Sequence, residues 1–148
     1  MKKLAELHKK LLSIGGREVS PQPDNEEHVA LLLEKGQIFH PQGRKHLRGE
    51  LHRCHQIAAL KYAEHHVVLR HGGICELVTG YALGDGDGMW HQHSWLWDGK
   101  RVIEPNNAPK IYFGVILAPE QASHFFFTNV IFCLPGMAEI LSRARVAV

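Results

Sequence analysis

The change in residue pattern at residues 71–73 restricts the fold of this chain more than any other feature. Before His71-Gly72-Gly73, apolar residues recur at helical spacing, as in the leucines of residues 2 to 14. After it, short runs rich in β-branched and aromatic residues alternate with glycine-rich turns, a pattern typical of antiparallel strands. Helices followed by an antiparallel sheet predict the α+β fold class.

Glycine and proline positions set the limits of the predicted elements. Helices are predicted over residues 2 to 14, from Asp24 to a stop at Gly36, and over Leu51 to Leu69. Tight turns at residues 84–88 and at Asp98-Gly99 separate the first strands. The predicted strands and a closing helix are Ile74–Leu83, Met89–Trp97, Arg101–Glu104, Ile111–Leu117, Phe125–Leu134 and, as the helix, Met137–Arg143.

Length and composition predict a single domain. The chain has 148 residues, of which 45% are hydrophobic, and no apolar run approaches the ~20 residues of a membrane helix. We expect residues 1–48 to form a helical N-terminal extension, 49–117 a catalytic core, and 118–148 a C-terminal strand and helix.

Charge and cysteine content limit the partners and the compartment. The net charge is only +2, and the basic run at residues 44–48 has no aromatic residue to stack on bases, so no nucleic-acid partner is expected. The N-terminus lacks the apolar region of an export signal, which predicts a cytoplasmic protein with reduced thiols. Cys75 and Cys133 lie in apolar segments and are predicted to be buried structural residues.

Cys54 differs from the other two cysteines because its neighbours are polar. It lies between Arg53 and His55 near the predicted start of the third helix. The positive end of a helix dipole and nearby cationic groups lower a thiol pKa and favour the thiolate. Cys54 is therefore the candidate nucleophile.

A histidine-rich strand provides a candidate base. Period-two alternation puts His91, His93 and Trp95 on one face of the Met89–Trp97 strand. If the turn is centred at Asp98-Gly99, facing residues have numbers that sum to about 197, within a residue or two, so Glu104 returns beside His93. A carboxylate beside an imidazole orients it and stabilises its cation. Cys54, His93 and Glu104 thus have the residue types of a nucleophile, a base and an orienting acid.

This order of residues resembles the transglutaminase-like core of papain-fold cysteine enzymes, which include transglutaminases, arylamine N-acetyltransferases and cell-wall peptidases of the NlpC type. The resemblance covers roughly residues 49 to 117. The matching segments are Arg53-Cys54-His55-Gln56, Thr79-Gly80-Tyr81-Ala82-Leu83, His93-Ser94-Trp95 and Val102-Ile103-Glu104-Pro105. Glu104 departs from the family, which usually has aspartate at this position.

The resemblance implies a papain-like or transglutaminase-like fold and a Cys-His-Glu triad that acts on a small-molecule or peptide amide or acyl substrate through a thioester, without a cofactor. It also implies an oxyanion donor at the backbone N–H of Cys54. A second donor is expected from the loop of residues 42 to 49, with Gln42 as the candidate. His91 and Trp95 share a face with the base and are expected to line the substrate cleft. Tyr81, on the neighbouring strand, is expected there too.

Two other functions remain open from the sequence. His91 and His93 have the spacing of a cupin-like metal site, and His52 lies two residues before Cys54. No second ligand motif accompanies them, so no metal is expected. Alternatively, the chain is a non-catalytic binding module in which His93 and Trp95 are ordinary sheet residues.

Overall fold

The structure is a computed structural model that describes residues 1–20, 28–40, 45–46, 53–67, 75–104 and 111–136. The helices of this part of the chain are α1 (Lys2–Ile14), α2 (Val29–Lys35), α3 (Cys54–Val67), α4 (Pro119–Phe126) and a π-helix (Phe127–Ile131). Its strands are β1 (Glu18–Val19), β2 (Gln37–Phe39), β3 (Lys45–His46), β4 (Glu76–Leu83), β5 (Met89–Trp97), β6 (Val102–Glu104) and β7 (Ile111–Ile116). None of these helices has the length and apolarity needed to cross a bilayer.

The seven described strands form one mixed sheet, in the order β2-β7-β4-β5-β6-β3 with β1 added beside β5. The long central strand β4 pairs antiparallel with β5 and β7. The two-residue strands β1 and β3 run parallel to β5 and β6. The α+β class is confirmed, and the prediction of a purely antiparallel sheet is wrong at these two short pairs.

Helix α1 covers the residues that the leucine spacing predicted. Leu7 and Leu11 are fully buried on its apolar face. The helix ends at Gly15, whose carbonyl oxygen accepts a hydrogen bond of 2.8 Å from the indole N–H of Trp90. This bond ties the end of α1 to β5, the strand that carries His93.

The sheet buries apolar side chains on both faces. The helices cover one face, where Leu77, Tyr81 and Phe113 pack against residues of α1, α3 and α4. The opposite face carries a smaller cluster, which consists of Phe39, Val78, Ala82, Trp95, Val102 and Tyr112. His93 and Glu104 lie on this second face, so two ionisable side chains are enclosed by aromatic ones.

The C-terminal segment does not form the predicted fifth strand over Phe125–Leu134. These residues are the end of α4, the π-helix and the turn that follows. Helix α4 has Pro119 at its start, and the Gln121 side chain accepts a hydrogen bond of 2.9 Å from the backbone N–H of Ala118. A short apolar run does not distinguish a strand from a helix, and this upstream start signal decides the outcome.

The same change of structure alters the environment of Cys133. Its thiol is exposed after the π-helix, so the prediction of a buried structural cysteine is wrong there, whereas Cys75 is buried as predicted. All three cysteines are free thiols. Asp24 and the closing helix Met137–Arg143 lie outside the described residues.

Trp95 depends on the absence of a side chain at Gly114. A Cβ atom there would lie 2.6 Å from the indole Cη2 and 2.9 Å from the carbonyl oxygen of Thr79. We expect Gly114→Ala to lower the free energy of unfolding by roughly 1–3 kcal/mol, because overpacking displaces the indole. Urea denaturation measures the change. Gly86→Ala is the control, since nothing lies within 4 Å of a Cβ there, and equal losses in both variants would contradict this packing.

Candidate active site

Cys54 is the first residue of α3, and this end of the helix packs on β5. The next turn carries Ala58 and Ala59, both fully buried, and their small side chains allow the helix to approach the sheet closely. The thiol therefore lies at the positive end of the helix dipole, which favours the thiolate. The helix begins at Cys54 among the described residues, and the predicted start at Leu51 lies outside them.

A gap in the pairing of β5 exposes backbone donors to Cys54. On the edge of β5 away from β4, β1 pairs with residues 89–90 and β6 with residues 96–97, and no described strand pairs with residues 91–95 on that edge. The Trp90 carbonyl points to this edge, where it accepts a bond of 2.8 Å from the Ser20 N–H. Because backbone direction repeats every two residues along a strand, the N–H and C=O groups of Gln92 and Ser94 point to the same edge. The Ser94 N–H is thus directed outward, and it donates to the Cys54 sulfur.

His93 connects Cys54 to Glu104. Its Nε2 lies 2.7 Å from Glu104 Oε1, and its side chain also hydrogen-bonds Cys54, which leaves Nδ1 as the ring nitrogen for the thiol. The Tyr112 hydroxyl donates to the other carboxylate oxygen, Oε2, at 2.5 Å. Little solvent reaches these groups, since the exposed fractions of Cys54, His93 and Glu104 are 9%, 7% and 0%.

The register of β5 and β6 differs from the predicted one by two residues. Leu96 pairs with Ile103 and Trp97 with Val102, so Glu104 falls opposite Trp95 rather than His93. A shift of two residues keeps a side chain on the same face of a strand. Glu104 therefore still reaches His93 diagonally, and the predicted contact between the two side chains is confirmed.

Cys54 and His93 shift each other's pKa in opposite directions. Burial by itself raises the pKa of the Cys54 thiol, but the hydrogen bond and positive charge of His93 and the N–H groups of Ser94 and His55 outweigh it, so the pKa falls. Burial by itself lowers the pKa of His93, yet the hydrogen bonds and negative charges of Cys54 and Glu104 raise it to about 9. These shifts favour a thiolate–imidazolium pair.

Cys75 has the opposite environment. Burial, followed by the charges of Asp98 and Glu76, raises the pKa of its thiol to about 11. This difference separates Cys54 from a cysteine that is only part of the core.

A second series of side-chain hydrogen bonds starts at His55, the residue after Cys54. Its Nδ1 lies 2.6 Å from the Ser94 hydroxyl, which in turn donates to the Thr79 hydroxyl at 3.0 Å. The ring also packs edge-on against Phe125 of α4, with 5.8 Å between ring centroids. Sequence reasoning assigned no role to Ser94 or Thr79. The available signal was two hydroxyl residues at facing positions of adjacent strands.

The residues predicted to line the substrate cleft occupy different places. Trp95 is fully buried and stacked on His93, with 6.0 Å between ring centroids. His91 is exposed and pairs with Asp87 at 2.6 Å. Tyr81, which was expected to line the cleft, is buried on the helix-covered face of the sheet, opposite the face that carries His93. Gln42 lies outside the described residues.

The residue pairs that suggested a metal do not form a cluster in the described part of the chain. His91 and His93 have separate carboxylate partners, Asp87 and Glu104. Among the described residues, no three His, Cys, Asp or Glu side chains are grouped so as to hold a metal ion. His52 lies outside them.

An open cavity of about 650 Å³ lies beside the start of α3. Its polar side is lined by Arg53, which precedes α3, and by His55 and Gln56 of the first helical turn. The apolar part of the lining comes from Leu60 and from the π-helix and the residues after it. The residues next to the candidate nucleophile are thus open to a ligand from this side.

The chain matches no family model, no curated protein and no solved structure. The geometry and electrostatics of Cys54, His93 and Glu104 are therefore the observations that bear on function.

His55 generates a pH-dependent prediction. Burial, followed by the charges of His93 and His28, lowers the pKa of His55 to about 4. As the pH falls from about 6.5 to about 4, the unfolded chain gains a proton at this position that the folded chain does not, so the free energy of unfolding decreases by up to a few kcal/mol.

His55→Asn does not titrate, so we expect it to lose less stability than the parent between about pH 7 and about pH 4.5. Urea denaturation of both proteins at the two pH values measures the difference. Equal losses would contradict a half-buried, neutral imidazole at this position.

Proposed function

We propose that this chain is a cysteine-dependent hydrolase or acyltransferase that acts on an amide or acyl group through a thioester at Cys54. The observation that carries the proposal is the continuous contact from Cys54 through His93 to Glu104. Nucleophilic catalysis by a thiol requires a base within hydrogen-bond reach and a third group that orients the base. Here Cys54 is the thiol, His93 is the base that hydrogen-bonds it, and Glu104 is the group that orients His93.

In the proposed reaction, the Cys54 thiolate attacks the carbonyl carbon, and an electron pair of the C=O bond moves to the oxygen. The His93 imidazolium then gives its proton to the leaving group as the bond to that group breaks, and a thioester remains on Cys54. Water or an amine next attacks the thioester while His93 accepts its proton. Collapse of this second intermediate releases the product and restores the thiolate–imidazolium pair.

Glu104 supports His93 in both halves of the reaction. One of its oxygens holds Nε2 at 2.7 Å, which leaves the opposite ring nitrogen toward the thiol. The carboxylate charge also stabilises the imidazolium, the form that precedes acylation. The Tyr112 hydroxyl on the second oxygen restricts rotation of the carboxylate.

The proposed substrate is a small molecule or peptide with both polar and apolar groups. The cavity beside α3 supports this because Arg53 and Gln56 line it near Cys54, whereas Leu60, Val130 and Leu134 add apolar surface. A ligand held there lies against the helical turn that carries the nucleophile. The relationship to transglutaminase-like enzymes and the cytoplasmic location remain predictions from the residue pattern.

The first test is the rate of iodoacetamide alkylation of each cysteine against pH, measured by peptide mass spectrometry. We expect Cys54 to react with an apparent pKa below the ~8.5 of a free thiol. His93→Ala should raise this apparent pKa by one unit or more, roughly, because the imidazolium no longer stabilises the thiolate.

His91→Ala is the matched control, because His91 is on the same strand face but pairs with the exposed Asp87. Cys75 is an internal reference, since its pKa is raised to about 11. An ordinary titration of Cys54, or equal effects of His91→Ala and His93→Ala, would rule out the thiolate–imidazolium pair.

The second test uses p-nitrophenyl acetate as a simple acyl donor. We expect a burst of one nitrophenolate per chain and an added acetyl group on the Cys54 peptide. Cys54→Ser and Glu104→Gln should slow acylation by roughly 10²–10⁴-fold. Cys133→Ser, which removes the exposed thiol, should leave the burst unchanged. Acetylation that follows Cys133 rather than Cys54 would overturn the proposal.

A further inference from the structure

We propose that His55 is a positioning residue. Its side-chain hydrogen bond to the Ser94 hydroxyl holds in place the two backbone N–H groups that donate to the Cys54 thiolate. This inference rests on the proposed function, because it assigns His55 a role in setting the nucleophile. The imidazole of His55 is not proposed to touch the reacting atoms; only the backbone N–H of this residue meets the sulfur.

The contacts around Cys54 form a closed ring. The sulfur accepts hydrogen bonds from two backbone N–H groups, those of Ser94 on β5 and His55 on α3. The side chains of the same two residues are joined by the 2.6 Å bond between His55 Nδ1 and the Ser94 hydroxyl. One side-chain bond therefore fixes the separation of the two donors, and with it the place where the sulfur is held.

The protonation of His55 suits this role. Because the Ser94 hydroxyl donates to Thr79 at 3.0 Å, it accepts a hydrogen bond from Nδ1–H of His55. A neutral ring with its proton on Nδ1 meets this requirement, so the bond adds no second positive charge beside the His93 imidazolium. Among the described residues, the charges that lower the pKa of His55 are those of His93 on β5 and His28 before α2, and Arg53 and Cys54 are its charged or titratable neighbours in the chain.

Packing fixes the ring in this orientation. Phe125 of α4 meets the His55 ring edge-on, which restricts its rotation. Ser94 is fully buried and Thr79 is nearly so, so water does not readily replace the bond to His55. Since β5 has no described strand partner on its outer edge at residue 94, the first turn of α3 takes the place of a neighbouring strand there.

The test is the pH profile of Cys54 alkylation in His55→Ala, Ser94→Ala, the double variant and His55→Asn. We expect each of the first two to raise the apparent pKa of Cys54 by roughly one unit, about a tenfold loss of thiolate at neutral pH. The double variant should be no worse than either single variant, because both remove the same bond. His55→Asn should restore most of the parent profile, since its amide N–H can reach the Ser94 oxygen in place of Nδ1–H.

His28→Ala is the matched control. Its ring packs on the same Phe125, with 6.3 Å between centroids. We therefore expect a change in packing around Phe125 without a change in the Cys54 profile. Circular dichroism checks that the variants fold, and if His55→Ala does not fold, the comparison of Ser94→Ala with His55→Asn carries the test.

The outcomes separate this inference from the proposed function. If His93→Ala raises the Cys54 pKa but neither His55→Ala nor Ser94→Ala does, the positioning role is wrong and the proposed triad stands. Additive effects in the double variant also overturn it, because the two side chains then act separately. If the parent thiol titrates as an ordinary cysteine, the proposed function fails first and this inference fails with it.

Discussion

The burial of Cys54 and His93 side by side imposes the strictest demand on the structure around them. Removing charged groups from water costs several kcal/mol each unless other groups compensate, and both residues are almost fully buried. The compensation comes from Glu104 on His93 and from backbone N–H groups on the sulfur. Tyr112 completes it by binding the second oxygen of Glu104. Each of these contacts therefore stabilises charge on Cys54, His93 or Glu104.

The sheet meets this demand at a part of β5 where its outer edge adjoins no strand among the described residues. The first turn of α3 packs against β5 between the residues that pair with β1 and those that pair with β6. Alternation along β5 then sends His93 to one face and Ser94 to the other. The sulfur of Cys54 meets the His93 side chain and the Ser94 backbone together, at the edge where the two faces join.

Much of the fold was predictable because it depends on local periodicity. Leucine spacing predicted α1, and alternation with two glycine-containing turns predicted β4, β5 and β6 close to their observed limits. The segment of residues 125–134 was predicted wrongly, because its apolar run fits a strand or a helix equally well. The short parallel strands β1 and β3 were not predicted either, since two residues carry no periodic signal and their pairing is set by distant parts of the chain.

The sequence by itself indicated which side chains are candidates for this chemistry and on which face each strand residue lies. It proposed Cys54, His93 and Glu104, and the contact of the last two is confirmed despite the register error, because side-chain direction repeats every two residues. Only the tertiary structure decided the partners of the sulfur. The bond from His55 to Ser94 joins residues 39 positions apart, and it forms because the first turn of α3 packs against β5 at this point. Local patterns contain no information on such a fit, since it depends on how separate elements pack.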